Sequence, residues 1–156
     1  MGRDSPVPLT IGQTINGYEL LDYLDSSSKR IAYRARNVAS SRIEQLQILP
    51  ESVQHDPERS ARFVRESRIL ATLQHPNILT CHGVIELGGQ LAISVEAIEA
   101  VTLADRLELG AMDTEEAVRS ILQVLAAADA AHASGVVHRE ISPATLVSGK
   151  LLYGNR

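Results

Sequence analysis

The sequence predicts an α+β domain, and three observations predict it. Strand-like runs fill the first third of the chain, a well-punctuated helix follows, and a glycine-centred hairpin precedes a long helical tail. With 156 residues, the chain has room for one domain with a core of its own.

The first 14 residues carry Pro6 and Pro8 with few apolar anchors and are expected to form a mobile leader. Tyr18 to Leu24 reads as a first strand. Ser26, Ser27 and Ser28 make a turn, and Ile31 to Arg36 returns as a second strand. Ile43 to Leu49 alternates as a third. Ile43, Gln45, Gln47 and Leu49 share one face, and Glu44, Leu46 and Ile48 share the other.

Asp56 then supplies an N-cap, Pro57 suits the first helical position, and Glu58 favours the positive end of the dipole. Phe63, Leu70 and Leu73 fall on one face, and Pro76 is expected to end the helix. Ile78 to Leu87 and Gln90 to Ile98 read as strands joined by a Gly88-Gly89 turn. The rest is helical. Asp113 and Glu116 resemble a capping box, Gly135 is a suitable stop, and Val118, Ile121, Leu122, Leu125 and Ala128 are expected to form a buried stripe.

Composition limits the function. Hydrophobic residues make up 44% and aromatics only 3%, so the core must be aliphatic. A net charge of -4 gives no electrostatic footprint for nucleic acid or an anionic membrane surface. No apolar run is long enough to span a bilayer. Cys81 is the single cysteine and cannot form an internal disulfide, which points to a reducing, cytoplasmic setting. His75, Cys81 and His82 match no standard metal spacing, so no metal site is expected.

Four segments then fall in a telling order. RFVRES (62–67), LQHPNIL (73–79), LAISVEAIEAVTLADRL (91–107) and AAHASGVVHREISPATLV (130–147) follow the strand–helix–hairpin–helix pattern. Together they resemble the Ser/Thr protein kinase family of bacteria and eukaryotes. The first looks like the family's αC helix, with Glu66 at its glutamate. The second resembles the link to the fourth strand, the third resembles the fifth strand, hinge and next helix, and the last resembles the catalytic loop.

The resemblance implies a kinase-like fold: an antiparallel five-stranded N-lobe sheet with the αC helix (15–98), then a partial C-lobe (99–156). It also implies roles by position. His138, Arg139 and Glu140 stand where the family has its catalytic His-Arg-Asp. Ala32, Gln47, Glu66 and Glu96 stand at ATP-site positions, and Val95 at the gatekeeper. Family chemistry is positioning and charge stabilisation around ATP and Mg²⁺.

Measured against that chemistry, the sequence departs at most steps. The Gly-rich loop reads Asp25, Ser27 and Arg30, which puts bulk and negative charge where backbone amides would approach phosphate. The strand lysine is Gln47, a neutral amide, and the small residue two before it is Gln45, expected to intrude on the base. Glu140 is one methylene longer than the family aspartate, the loop lysine is Ser142, and the Mg²⁺-binding asparagine is Thr145. The Asp-Phe-Gly motif falls on Tyr153, Gly154 and Asn155.

The sequence stops at Arg156, before the family's activation loop and later helices, so the long helix is also expected to leave an apolar patch. The expectation is a truncated, catalytically inactive kinase-like domain that binds another protein and needs no cofactor. The alternatives are a gene product with no selected function and, after it, a divergent kinase or a fragment of one, using ATP and Mg²⁺ with Glu140 as base. Simpler readings stand beside these: Gln45 and Gln47 as the wet face of a strand, and Glu66 as the partner of Arg62 in a surface ion pair.

Overall fold

The computed structural model describes residues 9–24, 31–49 and 51–151. The Asp25, Ser27 and Arg30 positions and the Tyr153-Gly154-Asn155 positions lie outside these residues, as do the first eight of the leader.

Strands β1 (Thr14–Ile15), β2 (Tyr18–Leu24), β3 (Ala32–Asn37), β4 (Ile43–Ile48), β5 (Cys81–Leu87) and β6 (Gln90–Glu96) form one antiparallel sheet in the order β1-β2-β3-β4-β6-β5. Five of these are the expected strands, and the two-residue β1 extends the edge. Alternation sorts side chains as predicted in β4. Glu44, Leu46 and Ile48 are buried on one face, while Ile43, Gln45 and Gln47 are half-buried on the other. Leu46 is fully buried among Leu20, Tyr33, Ala35, Ile48, Leu87 and Ala92, the centre of the core. Tyr23 packs edge-on against Tyr33 at 5.6 Å, which uses two of the few aromatic rings.

The Gly88-Gly89 turn joins β5 and β6 with both residues at positive φ, 59° and 81°, as a two-residue hairpin requires. β5 starts at Cys81 rather than Ile78. His75 is the reason: its carbonyl accepts the Ile78 N–H and its Nδ1 accepts the Asn77 N–H, so the chain turns through Pro76–Leu79 before it can pair. The second strand of the hairpin also ends early, at Glu96. After Ala97 the chain enters a separate strand, β7 (Ile98–Thr102), which pairs antiparallel with β8 (Val147–Leu151).

A short helix α1 (Glu51–Gln54) leads into α2 (Pro57–Leu70). Gln54 ties α1 to the sheet, donating to the Leu49 carbonyl at 2.7 Å and accepting the Leu91 N–H at 2.9 Å. Asp56 caps α2 through the N–H groups of Glu58 and Arg59. The helix stops before Pro76, because Thr72 turns its hydroxyl onto the Ile69 carbonyl and the chain tightens into successive turns. Buried Ser67 and the half-buried Phe63 and Leu70 line the inner side of α2.

Helix α3 (Leu103–Glu108) has a complete capping box between Thr102 and Asp105. Helix α4 (Thr114–Ala133) starts at Asp113, which accepts the Glu116 N–H, but the box expected there is open. The Glu116 carboxylate instead takes the Arg106 guanidinium at 2.9 Å, linking α4 to α3. Gly135, at φ 78°, closes the C-terminus as expected.

The stripe on α4 corrects the sequence reading. Val118, Ile121, Leu122 and Leu125 are exposed by half or more, and Ala128 is half-buried. Helical periodicity does gather these side chains on one side. No described element packs over that side, so the expected burial does not occur and the expected apolar patch does.

Candidate functional site

The face of the sheet that carries Gln45 and Gln47 is assembled by cross-strand register. Ala32 lies opposite Gln47, and Arg34 lies opposite Gln45. On the other side of β4, Ile93 and Val95 lie opposite Gln47 and Gln45. Directly paired residues share a face, so Ala32, Arg34, Gln45, Gln47, Ile93 and Val95 form one surface. Ala32 is buried in it, and the two glutamines are half-buried. Asp22 pairs with Arg34 from β2 and adds an acid to the rim.

Glu66 is not joined to this surface through Gln47. Its carboxylate accepts from Arg62 Nε at 2.9 Å, one helical turn away, and both side chains are about half exposed. This is the ordinary i,i+4 pair that α2 makes available. Glu96 also has a local task. Its Oε1 accepts the Thr80 N–H at 2.8 Å, while its own N–H donates to the Thr80 carbonyl.

The loop between α4 and β8 holds His138, Arg139 and Glu140. His138 Nδ1 accepts the Glu140 N–H at 3.3 Å. Arg139 sits at φ 67°, a left-handed conformation that costs an arginine on the order of 1 kcal/mol. Thr145 braces the turn that follows. Its hydroxyl donates to the Glu140 carbonyl at 2.7 Å, with the Ser142 carbonyl at 3.1 Å, and accepts the Ser142 N–H at 3.0 Å. The loop is docked on α3, whose first amides need acceptors outside the helix. Leu103 donates to the Leu146 carbonyl and Ala104 to the Pro143 carbonyl, both at 2.9 Å.

The β7–β8 ribbon holds the other end of the loop. Gly149 lies opposite Ala100, and a Cβ built on it would stand 2.0 Å from the Glu99 carbonyl oxygen. Only glycine fits that approach. Asp105, which supports the adjoining cap, has its carboxyl held below the usual range by the hydrogen bond from the Thr102 side chain.

Sequence reasoning did not find the buried polar cluster on the opposite face of the sheet. Glu44 is fully buried and accepts from Ser94 Oγ, from Asn37 Nδ2 at 3.4 Å and from Arg42 Nε at 3.3 Å. The Tyr18 hydroxyl joins it. Burial first, and the Glu44 charge second, push the Tyr18 phenol above its ordinary value. The alternation that placed Glu44 beside Leu46 and Ile48 carried the signal, since a carboxylate on a core-facing register needs partners.

A curled antiparallel sheet, one helix crossing from its third to its fourth main strand, and a helix-docked loop after a long helix define the N-terminal part of a protein kinase fold. The family described as "Protein kinase domain" matches residues 28–149, and the chain belongs to that family. Among its relatives is the serine/threonine-protein kinase PknJ of Mycobacterium tuberculosis, 34% identical over 147 residues, which cover 94% of this chain and 25% of PknJ. PknF of the same organism is 33% identical over 145 residues, covering 90% of this chain and 30% of PknF. This chain therefore spans between a quarter and a third of the length of these relatives. A crystal structure of a double mutant of the M. tuberculosis PknI kinase domain superposes with a TM-score of 0.82 at 26% identity, over 94% of this chain and 60% of that one. The unmutated PknI kinase domain gives 0.80 at 29% identity. Among the described residues no helix is long and apolar enough to cross a membrane.

Proposed function

We propose that this polypeptide is a kinase-family domain without phosphoryl-transfer activity, whose role in the cytoplasm is to bind another protein. The observation that carries the reading is the pairing around Gln47. At the position where the family places a lysine, a carboxamide lies between Ala32 and Ile93, and Glu66 is engaged by Arg62. A neutral amide cannot offset the charge of a polyphosphate. Gln45, beside it on the same face, adds a polar side chain where a base would need an apolar slot.

The loop supports the same reading. The Thr145 hydroxyl, at the family's metal-binding asparagine, is committed to the turn around Ser142. The exposed apolar side of α4 supplies a surface on which a protein could dock.

The test is thermal melting with ATP and Mg²⁺, alongside a phosphotransfer assay on generic protein substrates. The expected result is no Mg²⁺-dependent rise in Tm and no transfer above the Glu140→Ala variant. Saturating nucleotide at about 100 times its Kd would add about 2.7 kcal/mol of stability, a rise too large to miss. Such a rise, or transfer lost in Glu140→Ala, rejects the proposal in favour of a divergent kinase using Glu140 as base.

A further inference from the structure

We infer that Asn16 and Gly17 form a self-modifying site, at which the chain converts its own asparagine to an aspartyl or isoaspartyl residue and so loosens the segment that precedes β2. The reaction needs only water, and it is independent of whether the domain binds nucleotide.

The nucleophile is the Gly17 backbone nitrogen. Among the described residues none accepts its N–H, so no hydrogen bond has to break before it reacts. Gly17 is exposed, and a Cβ built on it would meet nothing within 4 Å. With no side chain on the attacking residue, nothing crowds the approach to the Asn16 carboxamide. The other described asparagines are placed differently. Asn37 precedes Val38 and Asn77 precedes Ile78, both branched at Cβ. The Asn37 side chain is also committed, donating to the Tyr18 hydroxyl at 3.2 Å and accepting the N–H groups of Ala39 and Ser40.

The electrophile is Asn16 Cγ. Asn16 is exposed, and its Oδ1 accepts the Gly88 N–H at 3.3 Å. A donor on that oxygen stabilises the negative charge that gathers there as the nitrogen adds. Base in the solvent takes the Gly17 amide proton, the N–Cγ bond forms, and the carboxamide nitrogen leaves with a proton as ammonia. Water then opens the cyclic imide. Attack at the side-chain carbonyl gives an aspartyl residue, and attack at the main-chain carbonyl gives an isoaspartyl one. The balance is asparagine and water to the new acid and ammonia, with no change of oxidation state.

Closing the ring rotates the turn out of its present conformation, and the fold resists this little. β1 has two residues, lies at the edge of the sheet and pairs only with β2. The product does not fit the same turn. Asn16 and Gly17 both hold positive φ, 49° and 83°, as the two-residue connection demands. An isoaspartyl linkage adds a methylene to the backbone there, so Thr14 no longer falls opposite Glu19. The bonds beyond it go next: Gly12 N–H to the Leu20 carbonyl at 2.7 Å, and Leu20 N–H to the Gln13 carbonyl at 2.9 Å. Leu9, which packs against the core, then loses the pairing that holds its segment in place.

The experiment is incubation of the complete folded chain at neutral and mildly alkaline pH, with peptide mapping by mass spectrometry over time. Asn16 should convert at least about tenfold faster than Asn37 or Asn77, the ratio that a barrier lower by about 1.4 kcal/mol gives. The rate should rise with pH, since base removes the amide proton, and both acid products should appear. Asn16→Gly suits the positive φ but carries no carboxamide, so it should show no mass gain in this peptide. Hydrogen exchange at Gly12 and Leu20 should quicken in the aged chain and stay unchanged in aged Asn16→Gly. Conversion at Asn16 no faster than at Asn77, or seen only after unfolding in urea, overturns the site. Conversion that leaves exchange at Gly12 and Leu20 as it was overturns the loosening.

Discussion

Replacing one leucine at a time tests the division between a covered sheet and an uncovered helix. Leu46 and Leu122 are the same residue in opposite environments: Leu46 is fully buried in β4, and Leu122 is mostly exposed on α4. Leu46→Ala removes buried carbons worth about 0.8 kcal/mol each and leaves a cavity. The site cannot close over that cavity. β4 is hydrogen-bonded to β3 on one side and β6 on the other, and two of the neighbouring side chains are already alanines, Ala35 and Ala92. The loss should therefore lie in the upper part of the usual range, about 3–5 kcal/mol. For a chain of this length that is a fall in Tm on the order of 6–20 °C. Leu122→Ala loses little cover and gains slightly in helix propensity, so its cost should be about 1 kcal/mol or less. Urea denaturation of both variants, at the lowest concentration the signal allows, gives the comparison. Equal losses at the two positions would refute the reasoning, because they would mean that α4 is covered by its own chain.

Further outcomes follow from named contacts. Gly149→Ala forces a Cβ against the backbone of Glu99 and Ala100, so it should destabilise the β7–β8 ribbon by about 1–3 kcal/mol; hydrogen exchange at Val101 and Ser148 would then accelerate while exchange in β4 stays slow. Ser94→Ala takes a hydroxyl from the buried Glu44 carboxylate and should cost about 1.5–3 kcal/mol by chemical denaturation, more than Ser40→Ala at an exposed turn. Burial pushes the Cys81 thiol and the Tyr18 and Tyr33 phenols up. Groups whose values are raised by folding contribute fully below their unfolded values. Their contribution is lost as pH climbs through the folded ones, because the unfolded chain ionises first. The urea midpoint should thus hold steady at about pH 7–8 and fall above about pH 9, and Cys81 should resist a thiol reagent until the chain is unfolded.

The readings that succeeded were local ones. Asp56 and Asp113 mark helix starts because a cap is decided within three residues, and the paired glycines mark a hairpin because the turn itself demands positive φ. The two faces of β4 followed from alternation alone, which put Gln45 and Gln47 together. The β7–β8 ribbon was missed because its partners are distant in sequence and its closest contact depends on a missing side chain at Gly149. Periodicity identified the α4 stripe but could not say whether anything covers it; burial is a property of neighbours, not of spacing. At the site, the family positions named residues but not their partners. The i,i+4 spacing did offer Arg62 as the partner of Glu66, whereas the hold of Thr80 on Glu96 ties the residue before β5 to the end of β6 and shows only in the fold.

The bracing role of Thr145 bears on how the loop tolerates change. Its hydroxyl is a strut between Glu140 and Ser142, accepting a backbone N–H and donating to a carbonyl from one atom. An amide carries acceptor and donor on separate atoms of a longer side chain, so asparagine at this position would not span the same gap. A change at this single hydroxyl would therefore loosen the turn that carries Glu140, although nothing else in the loop had been touched.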